Sequence, residues 1–231
     1  MRRLFHLLFF LLIFFSLDAR SGENDSASGG VISLSPALTE LVCRLGCEDR
    51  LAARSTACDW PESVKKLPTA GDFAEPELER ILAMKPALVV SNMFVNPKDA
   101  DVLRRAGIVV ELHPCESFDD YREWVVRMGQ LLDCPGEAAA ELKRADARIA
   151  EFEAALQQAD RRSLRALYVI WDSPLLTAGA DTLPDALGHL AGLENIVKTE
   201  KDYPSISLEF VLKEDPDVIV WFAHGDRKSV V

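Results

Sequence analysis

Two segments of this chain, 130 residues apart, share one pattern. Residues 78–90 read LERILAMKPALVV, and residues 208–220 read LEFVLKEDPDVIV. Each copy predicts a short amphipathic helix, stopped by a proline that cannot continue it, and then a strand that is apolar on both faces. A repeat at this separation indicates two similar α/β lobes with a cleft between them.

The segments around these copies predict where each lobe lies. From residue 31 to residue 135, short apolar strands alternate with helical segments. This alternation is typical of a parallel sheet with helices on both faces. A second series of strands and helices runs from residue 163 to residue 231 and has fewer elements. We therefore expect either unequal lobes or an incomplete second lobe.

The longest uninterrupted helical pattern, within residues 136–162, lies between the two lobes. Apolar side chains recur three or four residues apart in one stripe: Ala139, Leu142, Ala145, Ile149, Phe152 and Leu156. About 23 residues at 1.5 Å each form a rod of roughly 35 Å, which is long enough to join the lobes. An ordinary surface helix and a dimerising coiled coil are the alternatives, and a stripe shorter than four heptads disfavours the coiled coil.

Residues 1–19 predict a secretory signal peptide. The first three residues carry two positive side chains, residues 4–17 are almost entirely apolar, and Ala19 offers a small residue for cleavage. The apolar run is short for a membrane span, although an uncleaved anchor is the alternative. Residues 20–30 are polar and rich in Gly and Ser, as in a flexible tether. We expect a periplasmic protein with no membrane insertion after cleavage.

The charge of the chain narrows the choice of partners. It carries 37 acidic and 26 basic side chains, which gives a formal net charge of −11. This balance argues against nucleic acid or anionic lipid as a partner. It suits a protein that meets a basic surface.

The five cysteines are an odd number, so in an exported protein at least one stays unpaired within the chain. Their spacing fits no zinc-binding pattern. Cys47 and Cys134 each follow a predicted helix, which would bring both to the end of the first lobe where its strands begin. We predict one disulfide between them and interpret the other cysteines as small buried thiols.

No catalytic motif emerges. The chain contains no G-x-S-x-G, H-E-x-x-H, Walker A or G-x-G-x-x-G pattern. His113 and His224 follow predicted strands, but clefts that bind metal usually gather several imidazoles and carboxylates. Cys115 near His113 raises the alternative of a thiolate nucleophile, yet nothing in the sequence orients the pair. We predict no enzymatic activity, no metal site and no covalent cofactor.

Aromatic side chains recur where a ligand would bind. Each lies at the carboxyl end of a predicted strand or in the loop after it: Trp60, Phe73, Phe94, Trp171, Tyr203 and Phe222. In open parallel sheets ligands bind at that edge. Rigid aromatic rings there would hold a large, partly apolar small molecule. Core packing is the alternative, especially for Trp171 and Phe222.

Glu79 and Glu209 occupy the same position at the start of the two repeated helices. A carboxylate in the first turn gains about 0.3–1 kcal/mol from the helix dipole, which is the simple explanation. The dipole alone does not explain why both lobes carry a carboxylate at this position. Asp72, Glu75 and Glu77 already supply acids beside Glu79, so a further acid is not needed to stabilise the helix start. Two exposed carboxylates on separate lobes could each accept hydrogen bonds from an arginine of a partner protein.

Six motifs occur in one order along residues 31–222. They are ISLSPALTEL at 32–41, CDWP at 58–61, LERI with a following KP from 78 to 86, LLTAG at 175–179, GLENI at 192–196 and YPSISLE at 203–209. In this order they resemble the periplasmic substrate-binding proteins of cobalamin, haem and iron–siderophore importers. The pattern is most similar to that of the cobalamin-binding members.

The resemblance implies two α/β lobes joined by one rigid helix, with a ligand between them. It implies that Glu79 and Glu209 contact arginines of an ATP-driven permease, and that Phe73, Phe94 and Tyr203 contact the ligand. A tryptophan typical of cobalamin binders before the first glutamate has no counterpart, and Phe73 replaces it only roughly. The chain ends before the last strands and closing helix of such lobes, which implies an incomplete second lobe.

We therefore expect a monomeric binding protein that captures a corrinoid or a related metal chelate and delivers it to a permease and its ATPase. Haem, an iron–siderophore or a metal ion is the alternative ligand within this class. An α/β redox component, with cysteines gathered at the cleft, is the alternative from another class.

Overall fold

The computed structural model describes residues 29–158, 162–199 and 202–222. The predicted signal peptide at residues 1–19 and the tether up to residue 28 lie outside these ranges. Lobe one comprises β1 (Val31–Ser33), α1 (Pro36–Arg44), β2 (Leu51–Arg54), β3 (Gly71–Asp72), β4 (Glu75–Pro76), α2 (Leu78–Met84), β5 (Leu88–Ser91), α3 (Lys98–Arg105), β6 (Val109–Leu112) and α4 (Phe118–Leu131). After the long helix α5 (Pro135–Gln158), lobe two comprises β7 (Leu164–Asp172), β8 (Leu175–Thr177), α6 (Leu183–Leu190), β9 (Leu193–Asn195), α7 (Leu208–Glu214) and β10 (Val218–Trp221). None of the helices in these ranges is long and apolar enough to cross a membrane.

Lobe one is built on a parallel sheet with the strand order β2-β1-β5-β6. Alternate residues of β5 enter different cores, because successive side chains of a strand point to opposite faces. Val90 packs with Trp124 of α4, whereas Val89 packs with Leu103 of α3. From β1 the chain passes first to β2 on one side and later to β5 on the other. A ligand crevice forms at such a switch point, outside the carboxyl ends of the strands.

Lobe two has the same plan around β7. Strand β10 pairs with β7 in parallel on one side, and β9 pairs in parallel with the first residues of β7 on the other. The predicted α/β fold is therefore confirmed. One strand departs from a purely parallel sheet: β8 pairs antiparallel with the end of β7, so the sheet of lobe two is mixed.

The sequence repeat is also a structural repeat. Helices α2 and α7 have seven residues each, and each is followed by a residue with positive φ, Lys85 at 49° and Asp215 at 45°. A proline then ends each turn, and the strand that follows pairs with the first strand of its own lobe. The two copies differ in burial: β5 is buried on both faces as predicted, whereas Ile219 and Trp221 of β10 are more than half exposed.

A buried carboxylate fastens α5 to lobe one. Glu141 is 3% exposed and accepts hydrogen bonds from Tyr121 at 2.9 Å, Arg144 at 2.6 Å and Arg44 at 3.3 Å. Burial by itself raises the pKa of Glu141, but the bonds from Arg144 and Tyr121 and the charge of Arg44 outweigh it and lower that pKa. One side chain thus joins α1, α4 and α5.

The predicted apolar stripe of α5 is only partly buried. Leu142, Ala145, Ile149 and Leu156 are half-buried, whereas Ala139 and Phe152 are exposed. The fully buried positions are Ala138 and Glu141. An apolar pattern could not include Glu141, because its burial depends on partners from two other helices.

We expect Glu141→Gln to lower the free energy of unfolding by about 1–3 kcal/mol, because it removes a charge that accepts four hydrogen bonds from three side chains. A broken buried ion pair typically costs about 3–5 kcal/mol. The cost here is smaller because Arg44 and Arg144 are 61% and 60% exposed and stay hydrated. Urea denaturation at pH 7 measures it. Glu151→Gln is the matched control, since Glu151 also pairs with an arginine three residues away but both side chains are exposed, so its effect should stay below about 0.5 kcal/mol.

The contribution of Glu141 should also depend on pH. Its folded-state pKa lies below the ordinary value of 4.5, so its stabilisation is present above pH 4.5 and is lost as the pH falls through the folded-state pKa. The unfolding free energies of the wild type and Glu141→Gln should therefore converge below pH 4.5. A difference that stays constant across this range would contradict an ionised Glu141.

Candidate functional site

One hydrogen-bonded chain joins the carboxyl ends of β1, β5 and β6. The Ser35 hydroxyl donates to the side-chain oxygen of Asn92, and the Asn92 amide donates to the carbonyl of His113 at 3.2 Å. The Trp124 indole donates to the same carbonyl at 3.1 Å. This network fixes the loops on both sides of the switch point between β1 and β5. Ser35 directly precedes α1, but its hydroxyl donates to Asn92 in this network and does not cap the helix.

Two predicted ligand residues project from neighbouring loops of lobe one. Trp60 is 55% exposed and lies two residues after the buried Cys58. Phe73 is about half exposed and lies at the tip of the hairpin formed by β3 and β4. The Thr56 hydroxyl donates to Asp72, which ties the two loops together. The segment that was predicted as a loop is thus a short hairpin that presents an aromatic ring.

Phe94 does not belong to this exposed set. Its side chain is 4% exposed and packs in a core of lobe one with Ile81 and Leu103, which corrects the expectation that it faces a ligand. Its neighbour Met93 is about half exposed instead. In the loop between β5 and α3, Met93 is exposed to solvent and Phe94 is buried in the core.

Three aromatic side chains line the corresponding edge of lobe two. Trp171 is the second-last residue of β7, is about half exposed, and donates its indole N–H to the carbonyl of Ser173 at 3.0 Å. Phe222 follows β10, and its backbone N–H donates to the Val169 carbonyl at 2.9 Å, which places it beside β7 at the switch point of this lobe. Tyr203, in the loop before α7, is partly exposed. Because Trp171 is about half exposed, the alternative that its ring packs in the core is not supported.

The two edges lie close enough to interact. Burial raises the pKa of Tyr203, and the negative charges of Glu116 and Asp202 raise it further. Glu116 belongs to the loop after β6 in lobe one, whereas Tyr203 belongs to lobe two. A carboxylate of one lobe therefore acts electrostatically on a candidate ligand residue of the other. Glu116 was not singled out from the sequence, where it is one acid among 37.

A groove of about 870 Å³ also lies between the lobes. Its mostly apolar lining comes from α1, α4, α5 and α6 and includes Leu41, Phe118, Ile149, Leu183 and Leu187. None of the exposed aromatic side chains lines it. At this groove an open space separates α6 of lobe two from α1, α4 and α5.

Carboxylates dominate the loops at the two edges. Six of them occur in these loops or in the strand residues that border them: Asp59, Asp72, Glu75, Glu116, Asp172 and Asp202. Lys and Arg are absent from the described loop residues 55–61, 72–75, 92–97, 113–117, 172–174 and 202–207. Arg54 stands next to this set, but its guanidinium donates to the carbonyls of Val64 at 3.0 Å and Ser55 at 2.9 Å. Lys198, earlier in the same connection as Asp202, pairs with Glu194 at 2.9 Å, and Glu200 and Lys201 outside the described ranges add one charge of each sign.

The two repeated glutamates occupy equivalent exposed positions. Glu79 and Glu209 are each the second residue of their helix, α2 or α7. A helix that precedes a parallel strand starts near the carboxyl edge of the sheet, so both carboxylates lie at the same edge as the aromatic rings. The backbone N–H of Glu209 and the side chain of Ser207 lower the pKa of the Glu209 carboxyl, which is therefore ionised at neutral pH.

The cysteine and histidine side chains of the described residues give little support for a nucleophile or a metal site near this edge. Burial raises the pKa of the Cys115 thiol, and Asp120 raises it further, so this cysteine is a poor nucleophile at neutral pH. No group of three or more His, Cys, Asp or Glu side chains in the described ranges is arranged to hold a metal ion. His224 lies outside those ranges. Cys47 and Cys134 lie beyond the amino ends of the strands, with their sulfurs 3.4 Å apart and unbonded.

Comparison with known proteins places the chain among transport proteins. The profile of the family described as periplasmic binding protein matches residues 31–231. The chain is 32% identical over 214 residues to the vitamin B12-binding protein of Yersinia pestis (strain Pestoides F), a match that covers 91% of this chain and 73% of that protein. A periplasmic heme binding protein from Pseudomonas aeruginosa is 28% identical, with a TM-score of 0.75 over 86% of this chain and 74% of that chain. The periplasmic vitamin B12 binding protein BtuF of Vibrio cholerae shares the fold, with a TM-score of 0.72 at 24% identity, over 85% of this chain and 76% of that chain.

The reassignment of Phe94 can be tested against Phe73. We expect Phe94→Ala to lower the free energy of unfolding by about 3–5 kcal/mol, because it leaves a cavity in the core. Phe73→Ala should change it by less than about 0.5 kcal/mol, because the ring already contacts water. Urea denaturation of both variants measures the difference. Equal losses would show that the two rings are equally buried and would contradict the assignment.

Proposed function

The chain belongs to the periplasmic binding protein family, and we propose that it captures a corrinoid between its two lobes and delivers it to an ATP-driven importer. Members of this family are substrate-binding proteins of transporters, not enzymes. The alternative of an α/β redox component is therefore set aside. The family works with a permease and an ATPase, and it binds a small molecule.

The observation that carries the proposal is the pair of aromatic edges. Trp60 and Phe73 of lobe one and Trp171 and Tyr203 of lobe two are all partly exposed at the carboxyl ends of their sheets. Exposed rings at two facing edges keep apolar surface in contact with water until a ligand covers it. A flat, partly apolar chelate would bury these rings from both sides.

The charge of the edge loops favours a corrinoid over haem. The periphery of a corrinoid carries amide groups, which can donate hydrogen bonds to carboxylates, whereas haem carries two carboxylates of its own. Two like charges roughly 8 Å apart repel by about 0.5–2 kcal/mol, depending on how well water screens them. Glu116 and Asp72 would therefore weaken haem binding without opposing a corrinoid.

Haem remains the second candidate ligand. The likeness to the haem-binding protein of Pseudomonas aeruginosa, at 28% identity, supports it. The identity to the vitamin B12-binding protein of Yersinia pestis is slightly higher, at 32%. The acidic loops add a physical reason to rank the corrinoid first.

Delivery is proposed to use the two repeated glutamates. Glu79 and Glu209 stand at equivalent exposed helix starts, one on each lobe. Arginines of a permease would donate charge-assisted hydrogen bonds to both carboxylates. Two contacts on separate lobes would orient the cleft toward the permease. We further propose that the chain acts as a monomer in the periplasm, exported by residues 1–19.

Ligand preference can be measured by absorbance titration of the purified protein. We expect cyanocobalamin to bind at least tenfold more tightly than haem at low salt, because the edge loops repel carboxylates. Raising the ionic strength should narrow this gap by strengthening haem binding, since salt screens the repulsion. Tighter binding of haem at low salt would overturn the corrinoid assignment and leave haem as the ligand.

The role of Glu116 in this preference has its own test. Glu116→Gln removes the charge and should strengthen haem binding by roughly threefold to tenfold, and Glu116→Lys should strengthen it more. Glu62→Gln is the matched control, because Glu62 is an exposed acid of lobe one outside the edge loops. Haem affinities that do not change in this order would show that loop charge does not select the ligand.

Transport and capture should separate when the repeated glutamates are changed. The double variant Glu79→Ala, Glu209→Ala should bind the ligand with nearly wild-type affinity, because neither carboxylate belongs to the edge loops. It should reduce transport by roughly 100-fold or more, since each lost contact with an arginine is worth about 1.5–3 kcal/mol. Uptake of labelled cobalamin into cells, together with affinity in solution, measures both quantities.

The control for this experiment removes the same charge elsewhere. Glu62→Ala with Glu194→Ala also takes one acid from each lobe, but neither residue starts a repeated helix. This variant should retain transport. Parallel losses of affinity and transport in the Glu79 and Glu209 variant would defeat the proposed division between capture and delivery.

A further inference from the structure

Two buried thiols meet at the junction between lobe one and the long helix. Cys47 follows the end of α1, and Cys134 directly precedes α5. Their sulfur atoms are 3.4 Å apart, about 1.4 Å more than the ~2.05 Å of a disulfide bond. Both side chains lie in the same core as Leu45, Leu132 and Ala138. The two sulfurs therefore need only small side-chain rotations to reach bonding distance.

We propose that Cys47 and Cys134 form a disulfide in the exported protein and thereby fasten α5 to α1. The proposal rests on the export that is part of the proposed function, but it does not depend on which ligand the cleft holds. The bond would close a loop between two cysteines that are 87 positions apart in the sequence. A cross-link over a loop of this length stabilises a fold chiefly by restricting the unfolded chain.

The other cysteines are placed differently. The buried Cys58 thiol lies 3.1 Å from the hydroxyl of Ser55 and donates to the carbonyl of Ser33 at 3.8 Å, on the carboxyl side of the sheet. Cys43 and Cys115 are partly exposed and border the core that contains the close pair. One bridge between Cys47 and Cys134 leaves these three as thiols, in agreement with the odd number of cysteines.

The reaction requires an oxidant, and a protein disulfide of the export compartment supplies it. One thiolate attacks that disulfide and forms a mixed disulfide, and the second thiolate attacks the attached sulfur and releases the oxidant as a dithiol. Two protons leave the cysteines, and two electrons reduce the oxidant. In solution, glutathione disulfide can take the same role.

Burial determines when this reaction can occur. Burial raises the pKa of Cys134 to about 12, and the neighbouring thiol of Cys47 contributes to the rise. The Cys134 side chain is therefore almost entirely a protonated thiol at neutral pH once the chain has folded. The bond should form while the chain folds, before the two thiols enter the core, and slowly in protein that folded in the reduced state.

The disulfide and Glu141 together would attach the start of α5 to lobe one at two points. The disulfide would hold the residue before the first turn, and Glu141 holds the second turn through Arg44 and Tyr121. Both attachments lead to α1 or α4 of lobe one. The start of the inter-lobe helix would thus be fixed by one covalent bond and one buried carboxylate.

Thiol counting tests the bridge. The exported full-length chain is denatured in iodoacetamide without reductant, and its mass gives the number of alkylated thiols. We expect three alkylated cysteines before reduction and five after it, with a Cys47–Cys134 peptide found by digestion. Cys134→Ser should show four alkylated cysteines without reductant, and Cys58→Ser should show two. Five free thiols, or a bridge between other cysteines, would overturn the proposal.

Stability and refolding provide the second measurement. Reductant should lower the Tm of the oxidised wild type and of Cys58→Ser by roughly 5–10 °C, and it should leave the Tm of Cys134→Ser unchanged. Refolding of the reduced full-length chain with glutathione and glutathione disulfide tests the bond separately from export. Failure to form the Cys47–Cys134 bond in that buffer would also refute the proposal, whereas failure of export alone would count against the proposed function.

Discussion

Parallel pairing of the strands is the constraint on which the candidate site depends. In a parallel sheet all carboxyl ends meet at one edge, so residues far apart in sequence come together there. In lobe one this edge unites the loops after β1, β2, β5 and β6, and the chain from Ser35 through Asn92 to His113 holds three of them in place. In lobe two the same geometry brings Phe222 beside the end of β7. Without parallel pairing the aromatic rings would have no common edge.

The repeat made the fold predictable because it combines several local rules. A short amphipathic helix, a proline stop and an apolar strand each have a sequence signature, and the structure shows all three in both copies. The misassignments fall where the outcome depends on neighbours. Phe94 is buried by helices that its own segment does not specify, and β8 is a strand because it pairs with β7. Glu141 is buried because three residues from three helices satisfy it.

Under the proposed function, affinity and selectivity would have different physical sources. The aromatic rings would provide apolar area that any flat chelate can cover, and such area strengthens binding but discriminates little between chelates. The carboxylates of the edge loops act over longer distances and oppose ligands that carry negative charge. Met93 adds to the exposed apolar area and Glu116 adds to the negative charge, and neither was identified from the sequence. A methionine and an acid in a loop are common, and only the fold shows that they stand at the ligand edge.

Glu141 holds α5 near its start, so a small tilt at that end produces a larger displacement at the other end. Its start is held to lobe one through Glu141, whereas at lobe two it borders the open groove beside α6. A helix of 24 residues is about 36 Å long, so a tilt of roughly 5° at its fixed end displaces the far end by about 3 Å. That displacement approaches the ~3.5–4.0 Å separation of two carbon atoms in contact. The stiffness of the buried cluster around Glu141 therefore limits how far the far end of α5, with lobe two packed against it, can shift relative to lobe one.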